Sequence, residues 1–92
     1  MTKLEPNELA KALQDAPGWD LSNGKLEREW TFLDFLQAMT FVNKVAEIAE
    51  TAGHHPDIDI RYNKVKLGLV THDAGGITQK DVEMAARLGR DL

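Results

Sequence analysis

Residues 53–73 read GHHPDIDIRYNKVKLGLVTHD, and the alternation inside this stretch decides the fold class. Ile58, Ile60 and Tyr62 alternate with Asp57, Asp59 and Arg61, then Val65, Leu67 and Leu69 alternate with Lys66, Gly68 and Val70. Side chains of a strand point to opposite faces in turn, so each run predicts a strand with one apolar face. Asn63-Lys64 between them predicts a tight connection and hence an antiparallel pair. Upstream, Phe32 to Ala52 carries Phe32, Phe35, Leu36, Met39, Val42, Val45, Ala46 and Ala49 at helical spacing. Gly53 supplies a C-cap for that helix, and Pro56 prevents its continuation.

The same signals recur towards the N-terminus. Asn23-Gly24 separates Trp19–Ser22 from Lys25–Trp30. That dipeptide suits a type I′ hairpin, whose two central residues need positive φ. Leu26, Arg28 and Trp30 fall on one face of the second run, and Glu27 and Glu29 on the other. A first helix is predicted from Asn7 to about Ala16, on Leu9, Ala10, Leu13 and Ala16, ended by Pro17-Gly18. After the loop Asp73–Gly76, a last helix starts near Thr78 and carries Val82, Ala85, Ala86 and Leu88. The predicted order is α-β-β-α-β-β-α: an α+β domain over residues 1–92, with a four-stranded antiparallel sheet covered by three helices on one face.

Composition removes several functions. Cysteine is absent, which excludes disulfides, thiolate metal sites and cysteine nucleophiles. Eleven basic against 15 acidic residues give a formal net charge of −4, against the basic patch that direct nucleic-acid binding needs. No segment has the length of a signal peptide core or a membrane span, so a cytoplasmic location is expected. Ser22, the only serine, lies beside the Asn-Gly turn and lacks a nucleophile-elbow context. No Gly-rich phosphate loop joins a strand to a helix.

All three histidines remain to be explained, and each sits where regular structure ends. His54 and His55 follow the long helix, and His72 follows the fourth strand. Loops at the ends of rigid elements are the usual place for binding and catalytic groups. Plainer readings stand beside that one. Two histidines before a proline also occur as polar loop residues, and Glu50 can make a helix-end contact with His54. Thr78-x-x-Asp81 has the pattern of a capping box. Tyr62, Trp19 and Trp30 read as core aromatics, and Gly75-Gly76 as ordinary loop freedom. Three histidines can hold zinc, but no H-E-x-x-H pattern is present, and adjacent histidines chelate one ion poorly.

Taken together, Glu50-x3-His54-His55-Pro56-x5-Tyr62-x9-His72-x8-Asp81 resembles the pterin-4a-carbinolamine dehydratase family. The runs GHHPDIDIRYNKVKLGLVTHD and GGITQKD carry most of the resemblance, with Pro17-Gly18-Trp19 and Trp30-x-Phe32-x-x-Phe35 upstream. The resemblance implies His54, His55 and His72 as the active-site set, with Glu50 and Asp81 as supporting carboxylates. Pro56 would shape the loop and Trp19 border the pocket. Thr71 and Asp73, which flank His72 in the matched run, join the supporting set. The resemblance further implies a pterin substrate, no metal or organic cofactor, and a homodimer or homotetramer. Functional coupling to an aromatic amino acid hydroxylase also follows from it, as does, for some relatives, a non-catalytic role as a dimerisation cofactor. Histidine suits the implied dehydration because its ordinary pKa, about 6.5, lets it give and take protons near neutrality.

Overall fold

The computed structural model of the chain describes residues 2–92. Its elements are α1 (Pro6–Ala12) with a 3₁₀ turn at Leu13–Asp15, β1 (Asp20–Ser22), β2 (Lys25–Thr31), α2 (Phe35–Ala52), β3 (Asp57–Arg61), β4 (Lys64–Leu69), a 3₁₀ turn at His72–Ala74, and α3 (Gln79–Asp91). The strands form one antiparallel sheet in the order β1-β2-β4-β3. This is the predicted α+β order, with both hairpins in place. Asn23 and Gly24 have φ of 55° and 75°, as the type I′ turn requires.

Alternation sorts the sheet into two unlike faces. Leu26 of β2 and Val65, Leu67 and Leu69 of β4 are fully buried. They pack in one cluster with Leu9 of α1, Ala38, Phe41, Val42 and Val45 of α2, and Val82, Ala85 and Leu88 of α3. All three helices therefore cover the same face. The opposite face is charged and laddered: Glu29 and Asp59 both stand opposite Lys66 in the register. Across Gly68, which has no side chain to intervene, Lys25 Nζ donates to Asp57 Oδ2 at 2.5 Å.

Three local expectations are corrected. The long helix starts at Phe35, not Phe32, because Asp34 accepts from the Gln37 backbone N–H at 2.9 Å and caps it there. Phe32 instead lies beyond β2, its N–H donating to Asn63 O at 2.8 Å. Setting the helical phase from Phe32 misplaces the apolar stripe. Ala38, Phe41, Val42, Val45 and Ala49 are buried, whereas Phe35 and Leu36 are 50% and 74% exposed and Ala46 faces solvent. The first helix also ends early, at Ala12, its last residues tightening into the 3₁₀ turn. Finally, the turn between β3 and β4 is Tyr62-Asn63, because Arg61 pairs directly with Lys64. Tyr62 takes φ of 53° and lies exposed, outside the apolar strand face.

The antiparallel register of β3 and β4 is what brings the histidine-bearing segments to one end. Asp57, the first residue of β3, stands opposite Gly68, near the end of β4. The segment entering β3 and the segment leaving β4 thus emerge at the same end of the sheet. His54 and His55 lie on the first, His72 on the second.

Candidate active site

At the end of α2, Gly53 adopts φ of 66° and reverses the chain. Its N–H reaches Glu50 O, and the next N–H, of His54, donates to Ala49 O at 3.1 Å. This paired closure is a Schellman ending, and a residue other than glycine would meet a backbone penalty at that φ. Pro56 favours extended backbone at His55 just before it. His54 is thereby directed inward and His55 outward. The two neighbours meet different surroundings.

His54 is buried and its Nε2 lies 2.5 Å from Asp81 Oδ1, with Asp81 fully buried on the first turn of α3. The second carboxylate oxygen is occupied as well. Thr71 Oγ1–H donates to Asp81 Oδ2 at 2.8 Å, and the Thr78 backbone N–H donates to the same oxygen at 2.9 Å. The Thr71 and Thr78 hydroxyls lie 2.9 Å apart. One carboxylate therefore ties together the loop after α2, the loop after β4 and the start of α3. Lys80 adds a further tie, its Nζ donating to Gly53 O at 3.3 Å.

His55 Nε2 lies 2.7 Å from Glu50 Oε2, in an exposed pair. His72 opens the 3₁₀ turn after β4 and is exposed. Its loop is closed at the base by Thr71, whose N–H donates to Gly76 O at 3.0 Å and whose carbonyl accepts from Gly76 N. An open hollow of about 420 Å³ borders His54, lined also by Ala52, Lys80, Glu83, Met84 and Arg87. Among the described residues, no three His, Asp or Glu side chains are grouped to hold a metal ion.

Comparison with known proteins identifies the family. Residues 2–90 match the family model described as pterin 4 alpha carbinolamine dehydratase. The chain belongs to that family. Two bacterial relatives, provisionally named pterin-4-alpha-carbinolamine dehydratases, are similar over nearly their whole length. One, from Acidobacterium capsulatum, is 56% identical over 88 residues, covering 96% of both chains. The other, from Gloeobacter violaceus, is 58% identical over 92 residues, covering 96% of this chain and all of its own. A solved structure from Brucella melitensis, described as a transcriptional coactivator/pterin dehydratase, superposes with a TM-score of 0.88. It is 33% identical, with 97% of each chain covered.

Within this dehydratase-family fold, the expected site residues divide into groups. His54, Asp81 and Thr71 are joined by direct hydrogen bonds, and His72 follows Thr71 in the chain. His55 and Glu50 pair with each other on the same turn, with Pro56 next to them. Asp73 is exposed beside His72 and makes no side-chain bond among the described residues. Trp19 is not brought to this network. It is 5% exposed and packs against Trp30 in the core, rings at 78° and 5.7 Å apart, its Nε1 without a hydrogen-bond partner. Sequence reasoning missed Thr78 as a partner of Thr71 and Lys80 as a tie to Gly53. The capping-box spacing Thr78-x-x-Asp81 was the available signal for the former; no spacing marks the latter.

Proposed function

We propose that the protein dehydrates a 4a-hydroxytetrahydropterin to the quinonoid dihydropterin and water, with histidines as general acid and base. A proton is delivered to the C4a hydroxyl, the C4a–O bond breaks and water leaves. The N5 lone pair forms the N5=C4a double bond, and a base removes the N5 proton. No electrons leave the pterin and no covalent adduct forms, so two proton carriers suffice. His54 and His72 take these roles, His55 with Glu50 holds the heterocycle by hydrogen bonds, and Asp81 orients His54 as carboxylates do in other imidazole sites. Pro56, Thr71 and Asp73 shape the surrounding loops. The family membership supports the reaction class, and the buried His54–Asp81 pair at the same end as His72 is the observation that carries the role assignment.

The test is an assay on freshly generated carbinolamine, read against its spontaneous decay. Exchanging His54 or His72 for alanine is expected to lower kcat by roughly 10²–10⁴, the usual worth of a placed proton carrier. Full rate in both variants would sink the assignment.

The chain functions, on this proposal, in the cytoplasm as a homodimer or homotetramer beside an enzyme that hydroxylates aromatic amino acids. β3 is an edge strand whose Ile58 and Ile60 remain 39% and 37% exposed. An unpaired edge with apolar residues favours association. A second reading, as a non-catalytic interaction module, draws on the coactivator description of the Brucella protein and on the exposure of Leu33, Phe35 and Leu36 around the start of α2. An assay no faster than spontaneous decay, from folded protein, would favour it.

A further inference from the structure

From the hydrogen-bond inventory around Asp81 we infer that His54 is held as its Nε2–H tautomer, leaving Nδ1 as the working nitrogen, and that Thr71 is the positioning residue that secures this state. The kinetic part of this inference rests on the dehydratase reading; the tautomer does not.

Asp81 Oδ2 receives two donors, the Thr71 hydroxyl and the Thr78 backbone N–H. The Thr71 proton is committed to that carboxylate, so the 2.9 Å contact between the two threonines runs from the Thr78 hydroxyl to Thr71 Oγ1. The result is a one-way chain, Thr78 O–H to Thr71 O–H to Asp81. Hydrogen bonds donated to an oxygen favour its charged, acceptor-only form. Only Oδ1 is then left for His54, and it faces Nε2 at 2.5 Å. A carboxylate held as an acceptor has no proton to give, so the hydrogen in this contact comes from the imidazole. Nε2 therefore donates.

The other ring nitrogen has a different situation. Nδ1 makes no hydrogen bond among the described residues, and the ring borders the open hollow lined by Lys80, Glu83 and Arg87. A free lone pair beside an open hollow is what a general base requires.

Thr71 also governs the second histidine. Its N–H and C=O both pair with Gly76, closing the loop that begins with His72, while its hydroxyl is fastened to the partner of His54. One residue thus fixes the base of the His72 loop and the carboxylate that orients His54. The backbone part survives exchange of Thr71 for valine; the hydroxyl part does not.

Imidazole nitrogen NMR on the full chain, at a pH where histidine is neutral, tests the tautomer without reference to activity. The expected result is a His54 signal of the Nε2–H form, with a proton protected from exchange. Thr71→Val keeps the side-chain shape and removes the donor. It should speed exchange of that proton, and lower kcat roughly 10- to 100-fold with little change in KM, the scale of one hydrogen bond to a charged group. Thr71→Ser, which keeps the hydroxyl, should restore both readouts. An Nδ1–H signal in the unaltered protein would overturn the inference whether or not the protein dehydrates a pterin. So would a Thr71→Val variant matching the unaltered protein in both exchange and kcat, or a Thr71→Ser variant as impaired as the valine.

Discussion

His54 and His55 are neighbours, and each places Nε2 against one carboxylate at hydrogen-bond distance. The resemblance ends there. The His54 side chain is 10% exposed and Asp81 is completely buried, whereas His55 and Glu50 are 66% and 80% exposed. Water competes for every bond of the outer pair and screens its charge, so it has little energetic hold on its geometry. Inside, Asp81 is shut off from solvent, and both of its oxygens are met by protein donors. One pair is fixed in place by the fold; the other is free to move. On the proposed function, the inner pair aims a proton carrier and the outer pair admits the ligand.

The largest expected effect breaks the inner pair. Asp81→Ala strands the His54 ring N–H, the Thr71 hydroxyl and the Thr78 N–H in the interior, and should cost about 3–5 kcal/mol of stability, measured by urea unfolding. A loss below about 1 kcal/mol would mean the pair is as weakly held as its outer neighbour. Thr78→Ala comes next. It leaves the His54–Asp81 contact intact and removes the buried hydroxyl that opens α3, for an expected loss of about 1 kcal/mol by the same measurement. That variant separates the capping of α3 from the orientation of His54.

Glu50→Ala should change stability by less than about 1 kcal/mol, because the pair it breaks is exposed. On the proposed function, its expected effect is a raised KM, through the hold on His55. A large fall in unfolding stability would erase the distinction between the two pairs.

The smallest effect lies on the far face of the sheet. The Asp57 carboxylate, through its hydrogen bond and then its charge, raises the Lys25 ammonium above its ordinary value of 10.5. A raised lysine stabilises the fold while protonated, so its contribution is whole at neutral pH and is lost as pH rises past the folded-state value. Thermal melts of the unaltered protein and of Lys25→Met should therefore differ slightly near neutrality and converge in strong alkali. Salt should shrink the neutral difference, as expected for a pair in contact with solvent.

The strands were legible because their period is two and their turns carry Asn-Gly or a short polar break. Register confirmed the faces of β2 and β4 residue by residue, with Leu26, Val65, Leu67 and Leu69 all buried. The start of α2 was less legible. Phe32 continues the helical spacing by coincidence, and only the Asp34 cap and the tie to Asn63 exclude it. Tyr62 reads as an apolar strand residue until the pairing of Arg61 with Lys64 leaves it in the turn. In the site, Glu50, His54, His55 and Asp81 were marked by spacing and Thr71 only by its place beside His72. The Thr71–Thr78 contact and the Lys80 tie were not legible, and Trp19 belongs to the core.

By itself the sequence determined the element order, through local periodicity and turn chemistry, and carried the family resemblance in a run of spaced residues that names candidates for proton chemistry. Only the tertiary structure decided which histidine is buried and which is wet. That choice depends on the αL turn at Gly53 and on α3 bringing Asp81 beneath the loop, across 27 residues of chain. Environment is a property of neighbours in space, and two adjacent letters in a sequence carry no record of it.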